Sequence, residues 1–196
     1  ERYLPDTLQV RVAERVPMAQ VWAWQRDGAG ETDYDCVRLQ LDETGHVMTP
    51  IDHHSVVAPE DQAEWSLPVV SGIDLGKLKT LAPGRPAGLP KLRAALGLIR
   101  EFRRSPLAGT VDLRVIDLSQ PRILRVTTGD GGQVDLSTER LSRQLNRWAR
   151  IRAHGQKLGL AIETVDLSVT NNVPVRWMLT PSIAEDMKRG RKVARK

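Results

Sequence analysis

The sequence is poor in aromatic residues and contains almost no cysteine. Phenylalanine occurs once, tyrosine occurs twice, and Cys36 is the single cysteine among 196 residues. One cysteine can form neither an intrachain disulfide nor a cysteine-based zinc site, so cysteine chemistry gives no indication of the compartment. We expect Cys36 to be a small, buried apolar residue.

Long hydrophobic runs are also missing. No stretch approaches the ~18 consecutive apolar residues of a membrane helix, and no signal peptide opens the sequence. If the native protein is membrane-anchored, we expect the anchor to lie outside this sequence. The composition, 40% hydrophobic and 27% charged, is typical of a soluble globular protein of one large domain, or of one domain and part of a second.

Positive charge is concentrated at the C-terminus. Residues 188–196 contain no acid and six of the 29 basic residues, and without these six the remaining 23 bases face 24 acids. The rest of the chain is therefore nearly neutral, which argues against a nucleic-acid-binding surface. We interpret the basic run as a solvated, disordered tail, with a role at anionic lipid or nucleic acid as the alternative.

Motifs for metal binding are scarce. The best candidate is Asp52-His53-His54, but adjacent side chains of an extended chain point to opposite sides. At most two of the three would reach one ion without help from His46 or His154. We therefore expect these residues to form a solvated loop.

Motifs for catalysis are missing. The sequence contains no Gly-x-Ser-x-Gly nucleophile elbow. The glycine-rich residues 129–132 lack the Gly-Lys-Ser/Thr ending of a phosphate loop and lead into a predicted strand, which favours a hairpin turn. We predict no catalytic residue, no metal and no cofactor, and a metal-dependent hydrolase is the less favoured alternative.

Alternating apolar residues predict strands in the first part of the chain. Residues 7–19 have the pattern of a half-buried strand, with Leu8, Val10 and Val12 alternating against polar residues, and residues 36–41 that of a second. The turn-forming residues 42–45 lead to a third strand around Val47, which makes a hairpin. The polar residues 50–66 are predicted to form a surface loop.

Two amphipathic helices are predicted farther along. Residues 88–104 carry apolar residues at helical spacing, with Pro90 in the first turn and Ser105-Pro106 after the end. Ser137 is the predicted N-cap of the second helix, Glu139 favours its positive end, and Gly155 is placed beyond its end. The apolar stripe of this helix contains Leu141, Leu145, Trp148 and Ala149.

The outer face of the second helix is rich in arginine. We interpret it as a solvated helix face, with a patch for an acidic partner as the alternative. Its members are Arg140, Arg143, Arg147 and Arg150.

The remaining strands are predicted in two hairpins. Residues 111–115 and 123–126 are strands, and the turn at 128–132 leads onto a strand at Val134. Residues 160–169 and 173–179 flank Asn171-Asn172, which tolerate positive φ, and a change of phase near Thr164 predicts a bulge. The predicted fold class is α+β, a mostly antiparallel curved sheet with about two amphipathic helices packed on one face.

Three stretches, in order, resemble the extracytoplasmic region of the FtsQ/DivIB family of bacterial cell-division proteins. The first, with Pro5-Asp6 and then Glu14-Arg15 and Pro17, is similar to the family pattern P-D-x-L…E-R-x-P-x-A. The second combines the hairpin pattern (V/L)-D-x-x-G-x-V at residues 41–47 with L-P-x-(x)-x-G from Leu67. The third, residues 165–177, is similar to the ending V-D-L-R-Y-x-x-G-x-A-V-x-W.

The resemblance implies an inner-membrane protein with one membrane helix, a small POTRA domain and a β domain on the periplasmic side. Residues 1–22 would be the last POTRA strand and the connection, residues 23–181 the β domain, and residues 182–196 the basic tail. It also implies a scaffold without catalysis that recruits partners similar to FtsB and FtsL in septum formation.

The resemblance further implies that the final strand receives the partner by strand addition. Carried onto this sequence, the partner edge is residues 169–179. Ser168, Val169 and Asn172 depart from the family pattern. Pro174 independently favours an edge, because it cannot donate a ladder hydrogen bond, but it restricts the register of a partner. The partner-binding residues implied are Val169, Asn171, Val173, Val175, Arg176 and Trp177.

Two alternatives stay open at this level. A POTRA-associated module of envelope protein assembly or secretion would carry several POTRA copies upstream. Trp177 is a natural binding anchor, since aromatic residues are enriched among binding hot spots, and a core or sheet-face tryptophan is the alternative.

Overall fold

The computed structural model describes residues 14–26, 34–49, 67–78 and 81–179. Nine strands and three helices lie within these residues. The strands are β1 Pro17–Arg26, β2 Tyr34–Asp42, β3 Val47–Met48, β4 Val69–Ser71, β5 Leu113–Asp117, β6 Ile123–Thr128, β7 Gln133–Ser137, β8 Leu160–Asp166 and β9 Val175–Leu179. The helices are α1 Leu75–Leu78, α2 Pro90–Arg103 and α3 Leu141–Lys157.

The strands form one sheet in the order β3-β2-β1-β4-β5-β6-β7-β8-β9. Neighbours pair antiparallel except at β1–β4, β4–β5 and β7–β8, which are parallel. The predicted fold class is confirmed: the protein is α+β, with a mostly antiparallel sheet and two long helices packed against it. The order places β3 and β9 at the two edges.

The core lies between the helices and one face of the sheet. Helix α2 has Pro90 at its first turn, as predicted, and buries the apolar face that includes Leu92 and Ile99. The ring of Phe102 meets that of Trp148 from α3 with the centroids 6.0 Å apart. Helices α2 and α3 therefore pack on each other as well as on the sheet.

The hairpin of β2 and β3 turns around one carboxylate. Asp42 accepts hydrogen bonds from the backbone N–H and the hydroxyl of Thr44 at 2.9 and 2.7 Å and from the N–H of His46 at 2.8 Å, and it pairs with Arg15. Gly45 has a φ of 85°, which glycine adopts without strain. These contacts explain the presence of Asp42 and Gly45 in this turn, and the predicted hairpin is confirmed.

Burial and hydrogen bonding act on Asp42 in opposite directions. Burial raises the pKa of this carboxyl, but the hydrogen bonds from Thr44, His46 and Arg15 outweigh burial and lower its pKa to about 2. Asp42 is therefore ionised over the whole neutral range although it is buried.

Helix α3 begins and ends at other residues than the sequence predicts. Ser137 belongs to β7 and is not the N-cap; Arg140 takes that position with a φ of 53° and no side-chain cap. The side chain of Gln144 bonds the backbone of Ser137 and accepts its N–H at 2.9 Å, so strand and helix are joined there. Gly155 lies inside the helix and not beyond its end. Its lack of a side chain leaves the space that the ring of Trp177 occupies.

Several other predictions are confirmed with small shifts. The turn at residues 129–132 joins β6 to β7, and the strand predicted from residue 111 begins at Leu113. The register of β8 against β9 shifts between Ile162 and Thr164, which is the predicted bulge. Asn172 adopts a positive φ of 50°.

Some predictions fall outside the described residues. They are residues 7–13 of the first predicted strand, the loop at residues 50–66 with Asp52, His53 and His54, and the tail at residues 188–196. The end of that first predicted strand overlaps β1, which begins at Pro17. The side chain of Cys36 is also outside the description. Within the described ranges, no helix is both long and apolar enough to cross a membrane.

Candidate functional site

One edge of the sheet is closed by the chain itself. Beyond β3, the N–H of Val47 donates to the carbonyl of Arg85 at 2.9 Å, and the carbonyl of Val47 accepts from Gly84 at 2.8 Å. Ala87 donates to the carbonyl of Gly45 at 2.9 Å. The segment at residues 84–87 therefore uses the polar backbone groups that an incoming strand would need.

The opposite edge is open among the described residues. There β9 pairs with β8 alone, with Val175 opposite Val165 and Arg176 opposite Thr164. Asp166 donates its N–H to the carbonyl of Pro174 at 3.2 Å, so Pro174 faces β8. Because the direction of backbone groups alternates along an antiparallel strand, Val175 faces away from β8.

The same alternation continues along β9. Trp177 and Leu179 have the parity of Val175, so three residues direct their N–H and C=O groups to the open edge. Arg176 and Met178 use theirs toward β8. Among the described residues, the outer side of β9 is therefore a row of donors and acceptors at every second residue that no other strand uses.

Pro174 does not interrupt this row. Its carbonyl faces β8, and in a strand the N–H of the same residue would face the same way. The missing N–H therefore removes a bond to β8 and leaves the outer side intact. The expectation that Pro174 restricts a partner's register has no basis in this geometry.

The side chains of β9 divide between the two faces of the sheet. Val175 and Trp177 are half-buried and pack against the core on the helix side. The Trp177 ring lies over Gly155 of α3, where an added Cβ would overlap the ring. Trp177 is thus a sheet-face tryptophan that packs against the helix. Its role as a binding anchor for a partner stays a prediction.

The other predicted contact residues lie in the β8–β9 connection. The strand begins at Val175 and not at Val173, which is partly buried against the core. Arg147 fixes this connection by donating to the carbonyls of Val169 and Thr170, each at 2.9 Å. Asn171 is exposed. Of the six predicted residues, the structure places three on the strand and three on the connection.

The face of the sheet away from the helices has a polar depression beside β9, with a volume of about 450 Å³. Arg125 and Asp135 form a bidentate ion pair inside it, in which the guanidinium donates to the two carboxylate oxygens at 2.8 and 2.9 Å. This hydrogen-bonded pairing raises the pKa of Arg125. Arg176 lines the rim, where its side chain is 71% exposed and lies 3.9 Å from Glu163.

A second cleft, of about 280 Å³, lies where α3 begins. Arg140 and Arg143 of the predicted arginine face line it together with Arg122, Arg147 and the residues at 167–170. No ion pair involving Arg122, Arg140 or Arg143 is found in the part of the chain that the structure describes. The cleft is therefore positively charged and borders the connection to β9.

Sequence reasoning missed three features of this region. Arg122, at a φ of 64°, lies just before β6, and the β6–β7 hairpin brings it beside Thr138, whose N–H donates to its carbonyl at 3.3 Å. Gly155 has a packing role that only the position of Trp177 explains. The closure of the β3 edge by residues 84–87 had a possible signal, because Pro83-Gly84 marks a turn.

The described residues assemble no group of three or more metal-ligand side chains. His53 and His54 are outside these residues, and His46 bonds Thr44 at 2.8 Å within the β2–β3 turn. No site for metal chemistry is thus seen in the described ranges.

Comparison with known proteins assigns a family. The family model described as "Cell division protein FtsQ/DivIB, C-terminal" matches residues 34–168, well over half of the chain. No curated protein matches the chain. The matched residues run from β2 to the end of β8 and stop before β9.

Proposed function

Because this chain belongs to the FtsQ/DivIB family of cell-division proteins, we propose that it is a non-enzymatic divisome scaffold that binds FtsB- and FtsL-like partners at β9. The partner would add a strand to the sheet during septum formation. The observation that carries the proposal is the difference between the two edges: β3 is covered by residues 84–87, and β9 is uncovered among the described residues.

Backbone groups would supply most of the affinity. An added strand could pair with the outward N–H and C=O groups of Val175, Trp177 and Leu179. Each hydrogen bond contributes about 1 kcal/mol net, so several together give binding without a deep pocket. This mode tolerates the departures of Ser168 and Val169 from the family pattern, because main-chain bonds do not depend on side chains.

Apolar side chains would add to these bonds on the helix side. Leu179 is 48% exposed, and Leu158, which is 59% exposed, lies two residues before its pairing partner Leu160. Leu179 extends the row begun by Val175 and Trp177. A partner strand with apolar residues on the helix side would cover them.

The arginine-lined cleft offers a second contact region. It borders residues 167–170, so a partner segment continuing past the strand would reach it. Arg122, Arg140 and Arg143 favour carboxylates there by charge complementarity. This supports the interpretation of the α3 arginines as a patch for an acidic partner.

The membership also supports a location and a domain plan. We place the chain on the periplasmic side of the bacterial inner membrane, in a protein anchored by an N-terminal helix. The division into residues 1–22, 23–181 and 182–196 stays a prediction. Strand β1 crosses the first of these boundaries and lies between β2 and β4 in the sheet.

The test blocks the outer side of β9 without touching its inner side. Val175→Pro removes an N–H that faces away from β8, so the fold is expected to persist. Affinity for the extracytoplasmic segment of an FtsB-type protein from the same organism should fall about tenfold or more, since one bond is lost and the ring obstructs a close strand.

Val175→Thr is the matched control, because it keeps the N–H and the branched shape. Calorimetry would measure the affinities, and urea unfolding would check that each variant folds. If Val175→Pro does not fold, Leu179→Pro at the strand end replaces it. Equal binding by the folded proline variant and the wild type would remove β9 from the proposal.

A further inference from the structure

The side chain of Arg176 gives the β9 edge a chemical preference, and this inference rests on the proposed strand addition. Arg176 is the second residue of β9 and pairs with Thr164. Its side chain lies on the face away from the helices, at the rim of the polar depression. A strand added to β9 would place one of its own side chains directly beside it.

The geometry of that position is favourable for a close pair. The backbone of Arg176 bonds to β8, so toward the incoming strand Arg176 occupies a non-hydrogen-bonded position. In such pairs the Cα atoms of an antiparallel neighbour are about 4.5 Å apart and the side chains are closest. The partner residue opposite Arg176 therefore meets the guanidinium first.

The other charges of the depression are already engaged. Arg125 and Asp135 bond each other twice, and Asp166 accepts hydrogen bonds from the N–H and hydroxyl of Ser168 at 2.9 and 2.6 Å. Arg176 differs from these, because Glu163, at 3.9 Å, is beyond hydrogen-bond distance.

The contact between Arg176 and Glu163 is also weak because both side chains are exposed to solvent. The two side chains are 71% and 45% exposed, so solvent screens their attraction. Neighbouring strands lie about 4.8 Å apart. An incoming strand would therefore lie one such distance from β9, which carries Arg176, and two such distances from β8, which carries Glu163. An incoming carboxylate would approach Arg176 more closely than it would approach the acids of β8.

From this arrangement we infer that the strand accepted by β9 carries an Asp or Glu opposite Arg176, on the face of the sheet away from the helices. Its neighbours on either side face the helices and are apolar, beside Val175, Trp177 and Leu179. Arg176 thus determines the register and selects an alternating acidic and apolar strand.

The test is a charge exchange across the interface. The probe is the extracytoplasmic segment of the FtsB-type protein of the same organism, in which each carboxylate is replaced singly by Lys. Against the wild type, one replacement should weaken binding about five- to tenfold, because like charges then face each other across the strands. The same replacement should bind better to Arg176→Glu than the unchanged segment does.

Arg93→Glu on the exposed side of α2 is the matched control, since it makes the same change in net charge away from the edge. It should leave every affinity within about twofold. The inference is overturned if no carboxylate replacement is rescued by Arg176→Glu while Val175→Pro still weakens binding about tenfold or more. Should Val175→Pro bind normally, it is the proposed strand addition that fails.

Discussion

At the scale of single residues, Asp42 shows how a short motif becomes a fixed turn. Its buried carboxylate collects hydrogen bonds from Thr44 and His46 and the ion pair with Arg15. A carboxylate bonded in this way favours the ionised form, which is why its pKa falls to about 2 from an ordinary value near 3.8. The turn is therefore coupled to the charge of one residue.

This coupling gives a pH dependence. The folded pKa is lower than the unfolded pKa, so Asp42 stabilises the fold fully above about pH 4 and loses this contribution as the pH falls through about 2. The contribution at neutral pH is about 2 kcal/mol. Asp42→Asn should lower the free energy of unfolding by that amount at pH 7 and by much less at pH 2, as measured by urea denaturation.

Glu43→Gln is the control, because Glu43 is exposed and adjacent in sequence. It should change the free energy of unfolding by less than about 0.5 kcal/mol at either pH. An Asp42→Asn variant as stable as the wild type at pH 7 would contradict the role given to this carboxylate.

Residue-scale predictions from sequence succeeded where the cause is local. Pro90 and the turn at residues 42–45 act on residues close to them in sequence, and the structure agrees with both. The prediction that Ser137 caps the helix was wrong, because Gln144, seven residues away, bonds the backbone of Ser137 and holds it in β7. A single-residue preference cannot include a partner brought by the fold.

At the scale of elements, α3 and β9 are fitted to each other through Gly155. Gly155 lies within the helix, where any residue could adopt its backbone conformation, but a methyl group there would overlap the ring of Trp177. Glycine usually weakens a helix interior, so its presence here indicates that contact with β9 outweighs helix propensity. The position of the edge strand therefore depends on one missing side chain.

Gly155→Ala tests that dependence. The added Cβ should displace Trp177 and lower the free energy of unfolding by about 1–3 kcal/mol, as overpacking does in cores. Gly97→Ala in α2 is the matched control, since nothing lies within 4 Å of its added Cβ, and it should stabilise by about 0.5–1 kcal/mol. Urea unfolding of both variants decides, and stabilisation by Gly155→Ala would contradict the close contact.

Element-scale prediction from sequence was good for periodic segments. Helix α2, the β6–β7 hairpin and the bulge near Thr164 all follow from apolar spacing. The start of β9 was placed two residues early, because Val173 is apolar and alternates correctly but lies in the connection. Alternation indicates burial, and a buried loop residue gives the same pattern.

At the scale of the whole molecule, the order of strands decides which edge is available. The sequence predicted an α+β sheet, but its order depends on parallel pairs such as β4–β5 and β7–β8, which join strands distant in sequence. It is this order that leaves β9 outermost among the described strands. The family resemblance predicted that the C-terminal strand is the partner edge. The backbone geometry shows which residues of β9 face away from β8 and how β9 is aligned with β8.

The most direct test of the proposed scaffold role is amide hydrogen exchange, with and without the bound FtsB-type segment. The outward amides of Val175, Trp177 and Leu179 should exchange rapidly in the free protein and become protected at least tenfold in the complex. The amide of Val47, which already donates to Arg85, should not change. A saturated complex in which the three β9 amides still exchange as in the free protein would contradict strand addition at this edge.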